Sequence, residues 1–228
     1  MKVAVVTGAS RGLGFALARA LARRGWALVI DARGTGALER AASELRRDTT
    51  VAAIPGDVAD DDHRRALIDA AEDLGRIDAL VNNAGILGPS PPPPLSRCPV
   101  DALEHVYRVN ALAPLRLFQL AAPGLARSWG RVVNVTSEAA VEPFVGWGAY
   151  GSSKAALEQL SRVMAAEHPE LRVYWVDPGD LNTQMEQEGF PDEDVSDRPD
   201  PDVSVPGFLR LLDDDLPSGR YRAQALAD

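Results

Sequence analysis

The chain has 228 residues, of which 46% are hydrophobic and 25% charged, a composition typical of a soluble globular protein. Its formal net charge is −9, and the segment from Glu186 to Asp202 holds eight acidic residues against one arginine, so no basic face is expected for nucleic acid or an anionic membrane. No apolar run approaches the ~18 residues of a membrane span and no secretory signal is evident, so we expect a cytoplasmic protein. The single cysteine, Cys98, excludes an internal disulfide, and we expect no metal site.

Seven short apolar runs predict β-strands. In chain order they are KVAVVT, WALVID, TVAAI, IDALVNN, RVVNVT, LRVYWV and GRYRA. Five segments of helical period lie between them: Leu13 to Arg24, Gly36 to Arg47, Asp61 to Leu74, Val100 to Ala126 and Tyr150 to Glu167. Apolar strands that alternate with helices indicate a parallel sheet covered on both faces. The predicted fold is α/β: a Rossmann-like, doubly wound parallel sheet of about seven strands, in a single domain over residues 1 to 228.

A glycine-rich turn, TGASRGLG, follows the first predicted strand. Gly8, Gly12 and Gly14 allow a tight turn and a close approach of the backbone to a pyrophosphate, whose charge the free amides of the next helix would meet. An ordinary strand-to-helix turn is the alternative. Its position between a strand and a helix favours dinucleotide binding.

The segment AYGSSKAAL contains Lys154, one of only two lysines in a chain with 22 arginines, four residues after Tyr150. A tyrosine phenol has a pKa of about 10, too high for proton transfer at neutral pH. A cation one helical turn away would lower that pKa, and a compact ammonium suits this position better than a guanidinium. We therefore predict a proton-transfer pair in which Lys154 lowers the pKa of Tyr150. An exposed tyrosine and lysine on one helix face is the alternative.

Together with NNAG at Asn82 to Gly85, Ser137 in NVTS, and a PG pair followed by Thr183, these motifs resemble the short-chain dehydrogenase/reductase family. The motifs span Thr7 to Thr183, about four-fifths of the chain. The resemblance implies hydride transfer between a nicotinamide C4 and a carbonyl or secondary alcohol carbon.

The resemblance also assigns catalytic roles. Ser137 would polarise the substrate carbonyl, Tyr150 would act as acid and base, and Lys154 would lower the pKa of Tyr150 and bind the ribose. Asn110 would hold a water that completes the proton relay. Taken alone, Ser137 is a turn residue at a strand end, and Asn110 interrupts a helix near Pro114.

A larger set of residues is assigned to the cofactor. The resemblance implies that Asp57 and Val58 contact the adenine, and that Pro178, Gly179 and Thr183 hold the nicotinamide carboxamide. The full set is Gly8, Ser10, Arg11, Gly12, Leu13, Gly14, Arg33, Asp57, Val58, Asn83, Ala84, Gly85, Tyr150, Lys154, Pro178, Gly179 and Thr183.

The end of the second strand bears on the choice of cofactor. Members that prefer NAD usually place an acid where this chain has Ala32. Arg33 follows it, and Arg11 lies inside the glycine turn, so two guanidiniums would suit a ribose 2′-phosphate. Asp31 is one position early and could swing towards the ribose. The sequence therefore favours NADP(H), with NAD(H) as the alternative.

The resulting prediction is an NADP(H)-dependent ketoreductase that acts on a small-molecule carbonyl or alcohol. By resemblance to the family, the acidic segment from Asp180 to Pro206 occupies the place of the substrate-binding lid, and its proline and acid content favours a mobile cover; a solvated loop is the alternative. A non-catalytic, NADP(H)-binding regulator or scaffold is the second hypothesis, and a non-redox sugar epimerase or dehydratase is the third. The long helices from Val100 to Ala126 and from Tyr150 to Glu167 match those through which members of this family pair, so the resemblance implies a homodimer or homotetramer. Trp147, Ala155 and Leu157 would contribute apolar contact there; packing of the same residues against the sheet is the alternative.

Overall fold

The computed structural model describes residues 1–226, and within them seven strands form one sheet. The strands are β1 (Val3–Val6), β2 (Ala27–Ala32), β3 (Val51–Pro55), β4 (Ala79–Asn82), β5 (Arg131–Val135), β6 (Arg172–Asp177) and β7 (Gly219–Arg222). Their order is β3-β2-β1-β4-β5-β6-β7, and every neighbouring pair is parallel. All seven predicted strands are confirmed, with bounds within two residues of those predicted.

Eight α-helices lie in the same range of residues. They are α1 (Gly12–Arg23), α2 (Thr35–Leu45), α3 (Asp61–Asp73), α4 (Val100–Tyr107), α5 (Ala113–Ser128), α6 (Gly148–Glu167), α7 (Gln184–Gly189) and α8 (Val205–Asp213). The segment predicted as one long helix from Val100 to Ala126 is divided between α4 and α5 by a π-helical turn over Arg108–Leu112. Such turns often mark functional sites, and this one carries Asn110.

The helices pack on both faces of the sheet, as predicted. Side chains of β1 alternate between two cores: Ala4 and Val6 pack with α1, α2 and α8, whereas Val3 and Val5 pack with α3 and α5. This alternation follows from the two-residue period of a strand, and burial on both faces explains why the strand sequences are apolar throughout.

The order in which strands are added to the sheet reverses between β1 and β4: β2 and β3 extend the sheet on one side of β1, and β4 to β7 extend it on the other. Parallel sheets bind ligands at such a switch point, at the carboxyl ends of the strands. The glycine-rich turn follows β1 and the NNAG segment begins at the end of β4, so the topology brings both to this edge.

The segment from Asp180 to Pro206 contains more regular structure than predicted. It includes α7 and a short 3-10 helix over Pro201–Val203, and α8 begins within it at Val205. The sequence analysis identified neither α7 nor α8. Among residues 1–226, no helix has both the length and the apolar character needed to cross a membrane.

Candidate active site

The glycine-rich turn has the tight geometry that its sequence predicts. Gly8 has a φ of +66°, which favours glycine over any residue with a side chain. At Gly14 a Cβ atom would lie only 2.5 Å from the Gly8 carbonyl oxygen. The turn therefore packs against the start of α1 in a way that a side chain would prevent.

The turn is tied to β4 by side chains on both sides. The Asn83 side-chain amide donates to the carbonyl oxygens of Thr7 (2.8 Å) and Gly8 (3.2 Å). The Thr7 hydroxyl in return accepts from the backbone N–H groups of Asn83 and Ala84, both at 3.0 Å. Asn82 has a different role, since its amide donates to Asn134 on β5 at 2.8 Å. The two asparagines thus fix the strand ends from which the cleft is built.

Asp31 does not swing towards the ribose in this structure, contrary to the sequence-based alternative. Its side chain is buried, Oδ1 accepts from the Gly8 N–H at 2.7 Å, and Oδ2 lies 3.0 Å from His63 Nε2. Arg11 and Arg33, by contrast, are exposed at the edge of the cleft. Within residues 1–226 neither guanidinium forms a salt bridge, so both can meet an anionic ligand.

Ser137, Tyr150 and Lys154 converge on the same cleft from two elements. Ser137 follows β5, while Tyr150 and Lys154 lie one turn apart in α6. The Lys154 Nζ atom donates to the carbonyl oxygen of Val135 at 2.8 Å and lies 5.5 Å from the centroid of the Tyr150 ring. Both side chains are buried, so the alternative of an exposed tyrosine–lysine pair is wrong.

The electrostatic prediction for Tyr150 is not met in this structure. Burial raises the pKa of the Tyr150 phenol well above its ordinary value; a hydrogen bond with the Ser137 side chain opposes this, and the charges of Glu186 and Asp177 add to it. Burial also lowers the pKa of Lys154 to about 8. The expected lowering by Lys154 is absent because desolvation acts against both charged forms, and the ammonium faces the Val135 carbonyl. The phenol is therefore held in its protonated form.

Asn110 lies behind the wall of the cleft rather than on it. Its Oδ1 atom accepts from the Ile86 N–H at 2.9 Å, and its amide donates to the Ile86 carbonyl at 2.9 Å and to the Ser153 hydroxyl at 3.0 Å. A Cβ atom at Gly85 would lie 3.4 Å from Asn110 Oδ1 and 3.6 Å from Lys154 Nζ. Asn110 and Lys154 therefore both lie close to the backbone of Gly85.

A buried ionic network lies beneath Ser137. Arg220 of β7 donates to the Ser137 carbonyl at 3.2 Å and to the Glu158 carboxylate at 2.9 Å, and it lies 3.6 Å from Asp177. Glu158 also accepts from the Thr136 hydroxyl at 2.9 Å. Asp177 also lines the cleft, where it is paired with Arg220 and accepts from the Gly179 N–H at 2.9 Å.

The opposite side of the cleft, which we call the substrate wall, consists of Trp147, Met185, Glu186, Phe190 and Arg198. The Trp147 ring packs edge-on against Tyr150 with 5.6 Å between centroids, and lies 5.4 Å from the Phe190 ring. Arg198 forms a salt bridge with Glu186 and lies over the Phe190 ring at 4.5 Å. Burial raises the pKa of Glu186, and its pairing with Arg198 opposes that shift.

These two sides enclose a cleft of about 780 Å³, a volume suited to a nucleotide cofactor together with a small molecule. Every predicted site residue except Asn110 lines this cleft. The lining residues among those predicted are Gly8, Ser10, Arg11, Gly12, Leu13, Gly14, Arg33, Asp57, Val58, Asn83, Ala84, Gly85, Ser137, Tyr150, Lys154, Pro178, Gly179 and Thr183.

Comparison with known proteins agrees with this geometry. A family model described as short chain dehydrogenase matches residues 2–194. The chain belongs to the short-chain dehydrogenase family. Its relatives are oxidoreductases, which places this protein among the enzymes, as predicted.

Individual relatives of this short-chain dehydrogenase extend the comparison. Sepiapterin reductase from Bos taurus is 34% identical over 200 residues, covering 80% of this chain and 74% of the relative. A Pseudomonas syringae protein described as a short-chain dehydrogenase has a similar structure, with a TM-score of 0.92 and 30% identity over 98% of this chain and 94% of that one. One from Shigella flexneri, described as complexed with NADP, has a TM-score of 0.90 and 29% identity, covering 98% of this chain and 97% of that one.

The sequence analysis missed His63 and Arg220, which support the cleft from distant parts of the chain and which no local motif marks. Four residues of the substrate wall, Met185, Glu186, Phe190 and Arg198, lie in the segment that was predicted as a lid, whereas Trp147 was expected at a subunit interface. A weak signal was available for α8, since VPGFLRLLD has helical spacing and a proline in its first turn. Among residues 1–226, no group of three or more His, Cys, Asp and Glu side chains is placed to hold a metal ion.

Proposed function

We propose that this enzyme is an NADP(H)-dependent ketoreductase that reduces a small-molecule aldehyde or ketone to an alcohol. The observation that carries the proposal is the convergence of Ser137, Tyr150 and Lys154 on the cleft that also contains the glycine-rich turn. The relative from Bos taurus is named a reductase, which supports the reductive direction. NAD(H) remains the alternative cofactor.

The residues at the cofactor side of the cleft fit this dinucleotide. The positive φ of Gly8 lets the turn approach a pyrophosphate, and Arg11 and Arg33 are free to meet a 2′-phosphate. Asp57 and Val58 would hold the adenine. The Shigella flexneri relative in complex with NADP supports the same choice.

In the reduction, the bound nicotinamide supplies the hydride that the carbonyl carbon accepts. The Ser137 hydroxyl would donate a hydrogen bond to the carbonyl oxygen and stabilise the negative charge that develops there. Tyr150 would transfer its proton to that oxygen, which becomes more basic than a phenolate as the carbonyl carbon accepts the hydride. Lys154 would stabilise the resulting phenolate and bind the ribose, and Asn110 would hold the water through which the phenol regains a proton.

The substrate wall favours a substrate with an apolar or flat group beside its carbonyl. Trp147 and Phe190 offer aromatic surface, and Met185 adds a flexible apolar contact. We propose that residues 180 to 206 act as the substrate lid within a single domain, since α7 brings Met185 and Glu186 to the cleft.

We also propose a homodimer or homotetramer formed through α5 and α6. Val163 of α6 and Leu112, just before α5, are exposed apolar residues. Two of the residues first expected at the interface are engaged elsewhere: Leu157 is buried, and Trp147 packs in the cleft. Size-exclusion chromatography with light scattering would measure the assembly directly.

Tyr150→Phe tests the catalytic assignment. Turnover of NADPH with a panel of aldehydes and ketones is expected to fall by ~10²-fold or more, because positioned proton transfer contributes at least that much. NADPH affinity, measured by energy transfer from the tryptophans, should stay within about threefold. Tight NADPH binding without turnover in the wild type would instead favour the non-catalytic regulator.

A further inference from the structure

β2 carries a carboxylate, Asp31, near the position that distinguishes NAD from NADP. Both oxygens of this carboxylate already have hydrogen-bond partners within the protein. Asp31 lines the cleft, but only 1% of its surface is exposed. Both of its oxygens have partners: the Gly8 N–H at 2.7 Å and His63 Nε2 at 3.0 Å. Because an ionised carboxylate can only accept, the His63 nitrogen that faces it carries the proton.

His63 occupies a position between two cofactor-binding segments. It lies in the first turn of α3, and its ring packs so closely on Gly56 that a Cβ there would be 2.6 Å from the His63 Cε1 atom. Gly56 precedes Asp57 and Val58, the pair proposed to hold the adenine. One ring therefore contacts the adenine segment and, through Asp31, the glycine-rich turn.

The consequence for the cofactor follows from charge. A carboxylate at the end of the second strand that reaches the ribose accepts from its hydroxyls and repels a 2′-phosphate. With Asp31 held against Gly8 and His63, the guanidiniums of Arg11 and Arg33 at the edge of the cleft are left to meet that phosphate. Release of Oδ2 would leave a charged acceptor without its partner at the edge of the cofactor site, and the nearest new donors would be ribose hydroxyls.

We propose that His63 determines cofactor specificity by holding Asp31 away from the ribose. It acts as a positioning residue, through Asp31, rather than by contact with the cofactor. The inference rests on the proposed NADP(H) preference. A purely structural role, in which His63 only packs α3 on the sheet, would weaken both cofactors alike, so the two roles differ in a measurable ratio.

The test measures Kd for NADPH and for NADH by tryptophan fluorescence in a set of full-length variants. His63→Leu removes the hydrogen bond at similar volume and is expected to shift the ratio of the two Kd values by about 10-fold towards NADH, the equivalent of one charge-assisted hydrogen bond. His63→Gln keeps a donor for Asp31 and should hold the ratio within about threefold of the wild type. Adding Asp31→Asn to His63→Leu removes the freed charge and should restore the NADPH preference.

Equal weakening of both cofactors in His63→Leu would overturn the inference, as would a double variant with the same ratio as His63→Leu alone. If His63→Leu does not fold, His63→Asn supplies the same comparison, because its shorter side chain cannot reach Asp31. A wild type without NADPH preference would contradict the proposed cofactor. The inference about His63 would then still depend on whether its loss moves the ratio towards NADH.

Discussion

The two sides of the cleft are held in place by different forces. On the cofactor wall, formed by Thr7 to Gly14 with Asp31 and Asn83, buried backbone groups and short side chains are joined by hydrogen bonds of 2.7 to 3.2 Å. On the substrate wall, partly exposed side chains are held in place by an ion pair and by aromatic contacts. Lys154 lies between the two walls, on the Val135 carbonyl.

Because of this difference, we expect residues of the cofactor wall to tolerate substitution less well than residues of the substrate wall. Loss of a buried hydrogen bond leaves an unpaired polar group, whereas loss of a partly exposed ion pair removes little free energy. The cofactor wall should therefore respond to substitution as one cooperative unit, and the substrate wall should tolerate substitution and change its selectivity.

The largest effect is expected on the cofactor wall. Asn83→Ala removes the donor that the Thr7 and Gly8 carbonyls share, and should lower the free energy of unfolding by about 1–3 kcal/mol. NADPH affinity should fall by about 10-fold or more, since the turn loses its tie to β4. Chemical denaturation and fluorescence titration measure the two changes.

Asn182→Ala is the matched control, because this asparagine also lines the cleft but its side chain is exposed. It should change the free energy of unfolding by less than about 0.5 kcal/mol. If the two variants were equally stable, the two walls would not differ as we describe.

An intermediate effect is expected from pH at Lys154, where the walls meet. Its pKa is lowered to about 8, so its positive charge is present below that pH and is lost as the pH rises through it. NADPH is an anion and binds better to the charged form. Its affinity should therefore fall above pH 8, by no more than about 10-fold per pH unit, the limit for one coupled proton.

Lys154→Met provides the comparison for this pH dependence. The variant has no ammonium to titrate, so its NADPH affinity should be weaker at neutral pH and show no step near pH 8. An identical step in both proteins would assign the pH dependence to a different group.

The smallest effect is expected on the substrate wall. Glu186→Gln keeps the shape of the side chain but removes the charge that pairs with Arg198. KM for the carbonyl substrate should rise by about 2- to 5-fold, since a partly exposed ion pair contributes up to about 1 kcal/mol. Affinity for NADPH should be unchanged within about twofold. Asp192→Asn, at an exposed acid of the same segment, should alter neither value. If the two substitutions had equal effects, Glu186 would have no specific role in substrate binding.

Local patterns were enough to predict the sheet and most of the site. The strands are apolar because both faces of the sheet are covered, so their positions could be read from single segments of sequence. Gly8, Tyr150 and Lys154 belong to short motifs whose spacing reflects a turn or one turn of helix, and these are local properties of the backbone.

Long-range contacts decided the remainder. The Asp31 carboxylate is held by His63, which is 32 residues away in the sequence. The Ser137 carbonyl accepts a hydrogen bond from Arg220, which is 83 residues away. The spacing of Tyr150 and Lys154 predicted a lowered pKa for the phenol, but burial, which no neighbouring residue reveals, raises that pKa. The π-helical turn at Asn110 was missed because its helical spacing resembles that of an uninterrupted helix.

The sequence by itself determined the α/β fold, the glycine-rich turn and the catalytic motif, because each is a pattern of neighbouring residues with its own preferred backbone. Only the tertiary structure decided which charges reach the cleft. The pairing of Asp31 with His63, the raised pKa of Tyr150 and the composition of the substrate wall all depend on burial and on groups that folding brings together from distant segments.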